Sequence, residues 1–277
     1  MENNVVLITG ASSGIGKATA YYLMEKGFCV YGTSRKSKGN IGHNIASDEK
    51  SGGFIRMIPL DVTNEASVKE AVDIVIANEG RLDILVNNAG NGIAGSIEDV
   101  SSEEAAMQFD INFFGSLRVI KQVLPHMRKQ GCGLIIAMSS VAGVISIPYQ
   151  AHYSASKFAL EGLIEALRHE VASFGIKACL VEPGDTKTEF TGRRTIAKAI
   201  NESSPYYDRF TKSLARMEKD EQSGAAPDAV AKTIYNVIKR KNPPVRIAVG
   251  FQYKLFLILK KILPARLSAK VVGLLYS

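Results

Sequence analysis

Short apolar runs and helical patterns alternate along most of the chain. Runs that read as strands cover 4–9, 28–33, 54–60, 82–86, 133–138, 176–182 and 245–249. Several are apolar without interruption, as in Leu134-Ile135-Ile136-Ala137-Met138. Strands of that kind are buried on both faces, as in a parallel sheet. Between them, apolar residues recur at helical spacing over 14–26, 64–78, 101–129, 151–173 and 227–240. This alternation predicts right-handed crossovers and an α/β fold, a doubly wound, Rossmann-type parallel sheet of about seven strands flanked by helices. Two stretches break the rhythm. The polar, glycine-rich segment 36–53 reads as a loop that replaces or shortens a helix. The segment 185–226 follows a strand's carboxyl end, where a helical substrate lid would sit. Residues 1–250 therefore read as one domain with its lid at 185–226, and 251–277 as a C-terminal extension.

Hydrophobic residues make up 46% of the chain, which suits a packed core and excludes a disordered protein. The net charge of +7 is unevenly placed. Ten basic residues and no acidic ones follow Asp228, leaving 24 basic and 27 acidic residues, a charge of −3, over 1–228. A basic tail on an acidic body argues against nucleic-acid binding, which needs cations across a face. The tail, FQYKLFLILKKILPARLSAKVVGLLYS, has an apolar run before Pro264 shorter than the ~20 residues of a spanning helix. A cationic amphipathic segment of this type packs over the body or a second subunit, or lies on an anionic membrane surface as a peripheral contact. Cys29, Cys132 and Cys179 are far apart and sit in or beside apolar runs, so three buried, reduced thiols are expected. The four histidines show no metal-ligand spacing with them. The first apolar run leads directly into a glycine loop, so a cytoplasmic start is expected.

That loop is Thr9-Gly10-Ala11-Ser12-Ser13-Gly14-Ile15-Gly16, set between strand and helix. Its glycines let the backbone turn tightly and approach a diphosphate, and the helix amino terminus supplies free N–H groups. The second strand ends in Ser34-Arg35-Lys36, where NAD-binding folds usually carry an acid for the ribose 2′-hydroxyl. A hydroxyl and two cations suit a 2′-phosphate instead, so NADP(H) is expected over NAD(H). Further on, Tyr153 and Lys157 are four apart in a helical stretch, hence on one face. A free tyrosine titrates near pH 10, and bringing it to neutrality needs about 4 kcal/mol of charge stabilisation. A desolvated ammonium beside an oxidised, cationic nicotinamide can supply that.

Here the sequence resembles the short-chain dehydrogenase/reductase family in its simple one-domain branch. The loop 9–16 matches its T-G-x-x-x-G-x-G, and Asn87-Asn88-Ala89-Gly90 its N-N-A-G. Asn112 lies where that family has a catalytic asparagine, and Ser140 precedes Tyr153 by the family's usual thirteen residues. Pro183-Gly184 and Thr188 match its P-G-x-x-x-T. The resemblance spans about 4–190. It implies that Tyr153 is the general acid in reduction and the base in oxidation. Lys157 would lower the tyrosine's pKa and bind the nicotinamide ribose, Ser140 would polarise the substrate oxygen, and Asn112 would hold a water. Asp61 and Val62 would contact the adenine. Asn88, Ala89 and Gly90 would line the cofactor, and Pro183, Gly184, Thr186 and Thr188 the nicotinamide end. Asp185 stands where the family usually has a small or apolar residue, and Ser139 competes with Ser140. The pattern Tyr153–Gly162 is similar to enzymes of steroids, retinoids and acyl-lipid ketones, and dimers or tetramers are implied. The lid's Phe190, Tyr206, Tyr207 and Phe210 suit a lipophilic carbonyl or alcohol.

Two other classes are open to the same residues. Gly10-Ala11-Ser12-Ser13-Gly14 fits a G-x-S-x-G nucleophile elbow, which would make Ser12 a hydrolase nucleophile. That elbow needs an acid and a histidine later in the chain and usually follows several strands, and here only one strand precedes the serine. A non-catalytic NADP(H) sensor is the other, although such proteins commonly lose the tyrosine, lysine or serine.

Overall fold

The computed structural model describes residues 4–37 and 45–276. The first half runs β1 (Val5–Ile8), α1 (Gly14–Met24), β2 (Cys29–Ser34), β3 (Ala46–Asp48), β4 (Gly53–Pro59), α2 (Glu65–Glu79), β5 (Ile84–Asn87) and β6 (Ile93–Ala94). Then come α3 (Ser102–Phe109), a π-helical turn (Asp110–Phe114), α4 (Gly115–Gln130), β7 (Gly133–Met138), α5 (Ala151–Val171) and β8 (Ile176–Glu182). The lid holds α6 (Phe190–Arg193), β9 (Thr195–Ile196) and α7 (Tyr207–Gln222). The chain finishes with α8 (Pro227–Ile238), β10 (Arg246–Ala248), α9 (Phe251–Ile262) and α10 (Ala265–Tyr276).

Eight strands form one sheet in the order β10-β8-β7-β5-β1-β2-β4-β3. Its pairings are parallel except β3 with β4. The strand order reverses at β1, the switch point where doubly wound sheets bind ligands. The apolar strand β1 and the strand β5, apolar up to Asn87, are buried at every residue, because helices cover both faces. One face packs on α2, α4 and α5 through Val72, Val123 and Ile164, the other on α1 and α8 through Leu23 and Ile234.

The segment 36–53 reads as loop throughout, but it contains β3, an antiparallel edge strand. Residues 38–44 of it lie outside the described residues. Cys29 and Cys179 are buried as expected, but Cys132, in the turn between α4 and β7, is exposed. The helix expected over 101–129 is two α-helices joined by the π turn, which carries Asn112. One extra residue in a helical turn re-aims side chains, and such turns gather at functional sites. The C-terminal extension is partly docked. Leu257 joins Val141, Ile145 and Ala248 in a small cluster, while Phe251 and Ile262 are 81% and 74% exposed. Among the described residues no helix is long and apolar enough to cross a membrane.

Candidate active site

The loop after β1 is shaped by its glycines. Gly10 and Gly14 have φ of 67° and 52°, which disfavour any side chain. Gly16 is excluded from being larger by close approach, since a Cβ there would lie 2.3 Å from the Gly10 carbonyl oxygen. Thr9 ties this loop to the one after β5. Its hydroxyl accepts from the Asn88 and Ala89 amides, each at 2.8 Å, and donates to Asn87 Oδ1 at 3.3 Å. The Asn88 side chain donates to the Thr9 and Gly10 carbonyls, so it holds the loop in shape. Ser13 caps α1 without a side-chain bond to it. Instead the Gly14 N–H donates to the Glu189 carboxylate at 3.0 Å, and Arg193 Nη1 donates to Ser13 Oγ at 2.6 Å. A carboxylate seated on this amide shows that the helix start takes an anion. The residues present therefore fit a dinucleotide's diphosphate.

At the end of β2, Arg35 and Lys36 are exposed, and the Lys36 amide donates to Ser34 Oγ. Asp61 lies across from them after β4. Burial works to raise its carboxyl, but hydrogen bonds from Thr63 and the charges of Arg35 and Arg118 hold it below its ordinary value. Val62 is buried against α4, where a Cβ on Gly115 would meet it at 2.8 Å. An adenosine with a 2′-phosphate would meet cations, a hydroxyl and an ionised acid here.

The residues expected to handle the proton gather near the carboxyl ends of β7 and β8. Ser140 follows β7, and its hydroxyl works to lower the Tyr153 phenol, which burial nonetheless pushes up to about 12. Ser140 Oγ also accepts from the Ala142 amide at 3.1 Å. Ser139 points elsewhere, towards Glu161. Lys157 lies one turn beyond Tyr153, 5% exposed, its Nζ 5.8 Å from the tyrosine ring centre. That Nζ donates to the Met138 carbonyl at 2.8 Å, and burial pushes it down to about 8. The opposing influences on the phenol are Ser140 and Arg194 rather than Lys157. The phenol thus keeps its proton at neutral pH.

Asn112 is fully buried. Its side chain accepts from the Asn91 amide and donates to the Asn91 carbonyl and Ser156 Oγ. It braces the loop after Gly90 against α5. Phe190 of the lid packs on Tyr153 with ring centres 5.8 Å apart. The buried Arg194 pairs with Glu221, and both charges reach the phenol.

The loop after β8 carries Pro183, Gly184, Thr186 and Thr188. The Pro183 carbonyl accepts from the Val141 amide, and Thr186 Oγ1 donates to the Gly184 carbonyl. Thr188 Oγ1 accepts from the Phe190 amide. Asp185 acquires a partner that the sequence did not disclose. Tyr253 of α9 accepts from the Asp185 amide at 2.9 Å and donates to its carboxylate at 2.7 Å. The same ring covers Gly184, where a Cβ would lie 2.1 Å from it. The C-terminal extension is therefore built into this loop, through a tyrosine that no local pattern marks. Sequence reasoning also passes over Glu189, Arg194 and Glu221, whose roles depend on how the lid folds back.

A family model described as short chain dehydrogenase matches residues 4–199. A 3-ketodihydrosphingosine reductase of Bacteroides thetaiotaomicron is 49% identical over 250 residues, covering 90% of this chain and 89% of its own. A short-chain dehydrogenase structure from Streptomyces avermitilis has a TM-score of 0.80 at 31% identity, covering 98% of this chain and 96% of its own. ElxO with NADP bound has a TM-score of 0.73 at 29% identity, covering 91% and 99%.

Proposed function

The chain belongs to the short-chain dehydrogenase family, and from that premise we propose that it reduces long-chain lipid ketones with NADPH, Tyr153 supplying the proton. Family membership makes it an oxidoreductase of alcohols and ketones that uses a nicotinamide cofactor. This removes the hydrolase reading of Ser12, which belongs to the glycine loop.

The observation that carries the mechanism is the convergence of Ser140 on a phenol that is protonated at neutral pH. Tyr153 gives its proton to the oxygen of the ketone as negative charge develops there. Ser140 donates a hydrogen bond to the same oxygen and orients it. Lys157 holds a positive charge beside the phenolate that remains, and Asn112 keeps the loop at Gly90 in register with α5. When bound, NADPH supplies the hydride that turns the ketone and a proton into a secondary alcohol and NADP+. Gly10, Ser12, Ser13, Gly14, Ile15 and Gly16 would hold its diphosphate. Ser34, Arg35 and Lys36 would hold the 2′-phosphate, and Asp61 and Val62 the adenine. Asn88, Ala89, Gly90, Pro183, Gly184, Thr186 and Thr188 would bound the nicotinamide end. The NADP-bound relative supports the choice of cofactor.

The substrate class rests on the 49% identical relative, whose name gives a sphingoid ketone. A groove of about 470 Å3 supports it, lined by Ile97, Pro148, Tyr149, Tyr206, Arg209 and Gly273 among others. It lies between the lid, the segment leading to Tyr153, and α10. On the outer side of α9 and α10, Phe251, Leu255, Ile258, Ile262, Leu267 and Leu274 are exposed beside Lys254, Lys260, Arg266 and Lys270. That face suits an anionic lipid surface, from which an apolar ketone enters the groove. Met107, Phe114 and Phe158, exposed on α3, the π turn and α5, suit self-association into a homo-oligomer.

Turnover of vesicle-borne substrate tests this reading. With anionic vesicles at low salt, the protein is expected to co-sediment and to oxidise NADPH with 3-ketodihydrosphingosine at least ~10-fold faster than with a four-carbon ketone, the scale of a few buried methylenes. Equal rates on both ketones, with the protein left in the supernatant, would reject it.

A further inference from the structure

The face of α5 that carries Tyr153 and Lys157 continues as a row of acids. Glu161 follows Lys157 by four residues and Glu165 by eight, so all four share one side of the helix. Glu161 is 6% exposed, and Glu182, at the end of β8, is 1% exposed. Carboxylates buried this deeply need neutralisation or a partner. Their shared cation is Arg246 of β10. Its Nη2 lies 3.4 Å from Glu161 Oε2 and its Nε 3.7 Å from Glu182 Oε1, and it also pairs with the exposed Glu165. One guanidinium bridges all three acids, so neither buried carboxylate has it to itself. Both oxygens of Glu161 and Oε1 of Glu182 are buried outside hydrogen-bond geometry with any donor, the nearby Ser139 hydroxyl included. A proton between the two carboxyls would satisfy one oxygen of each.

We propose that Glu161 and Glu182 share one proton and act together as a positioning pair that keeps the ammonium charge on Lys157. The inference rests on the reading of Tyr153 and Lys157 as the proton-transfer unit. Lys157 needs such help, because its ammonium donates to a neutral carbonyl, that of Met138. Burial pulls its charge off, and the Glu161 carboxylate is the group that opposes this. Burial, and then the charge of Glu161, push Glu182 up to about 7, against Arg246 and against Lys261 of α9. Burial also raises Glu161, while the Ser139 hydroxyl, Arg246 and Lys157 lower it and Glu165 raises it. The pair therefore carries one negative charge divided between its two carboxyls, and the share on Glu161 faces Lys157.

The two members of the pair should act on Lys157 with opposite signs. Glu161→Gln removes the negative charge, so Lys157 should lose its proton at lower pH. Glu182→Gln removes the competitor for Glu161's charge, so Lys157 should keep its proton to higher pH. Each variant takes away a buried acid and leaves Arg246 two others, so folding is not compromised. The experiment is an NMR titration of the lysine side chains in the full chain, with Lys157 assigned through Lys157→Arg. The Lys157 midpoint should fall by about one pH unit in Glu161→Gln and rise in Glu182→Gln, the scale of a single charge at short range inside a protein. Either variant alone decides its own sign. An unmoved midpoint, or shifts in the same direction, would overturn the proposal. The titration uses neither cofactor nor ketone. Failure to reduce lipid ketones would sink the functional reading and leave this result standing.

Discussion

Tyr153→Phe should lower ketone reduction by about 1,000-fold while NADPH binds as it does to the parent, because one positioned proton donor is worth about that much. The phenol is the proposed acid and lies beside Ser140, with burial pushing it up to about 12. Phenylalanine keeps the ring against Phe190, whose centre is 5.8 Å away, so the lid has no reason to move. The proposed cofactor cradle is separate, formed by the loop after β1 and its tie through Thr9 to Asn88 and Ala89. Stopped-flow reduction and fluorescence titration with NADPH measure the two quantities independently. Loss of binding in parallel with rate would mean that the hydroxyl serves structure rather than chemistry.

The second large effect concerns cofactor choice. Arg35→Asp should weaken NADPH by about 100-fold and leave NADH within a few-fold, the size of removing one charge-assisted hydrogen bond and adding a repulsion. Arg35 is exposed at the end of β2, and its charge helps to keep Asp61 ionised. An aspartate there would face the 2′-phosphate and Asp61 with the same sign. NADH has only a 2′-hydroxyl at this point, which an aspartate accepts from. Isothermal titration with both cofactors, repeated at high salt, would show the NADPH advantage of the parent shrink as charges are screened. Equal affinities in the parent would contradict the assignment.

The sheet is legible from sequence because burial on both faces leaves continuous apolar runs. The strands β7 and β8 fall over 133–138 and 176–182, as their runs indicate. The edge strand β3 is not legible, since Ala46-Ser47-Asp48 is polar and half-exposed and pairs on one side only. The π turn around Asn112 is hidden for a different reason. One inserted residue barely disturbs an apolar period, yet it changes which side chain faces Asn91. In the site, Gly10, Gly14 and Gly16 announce themselves because no other residue fits there. Tyr153 and Lys157 announce themselves through helical spacing. Glu161 has the same spacing and does not stand out, because an acid on a helix usually faces water. Here its neighbours are β8 and β10, brought alongside by the sheet order. Tyr253 lies 68 residues from Asp185, beyond any local pattern.

The most direct measurement follows the hydride itself. With NADPH deuterated at both positions of the nicotinamide C4, the product of 3-ketodihydrosphingosine should hold one deuterium on the new carbinol carbon and none elsewhere. A carbinol without that deuterium, or label released to water, would contradict reduction by hydride transfer at this site.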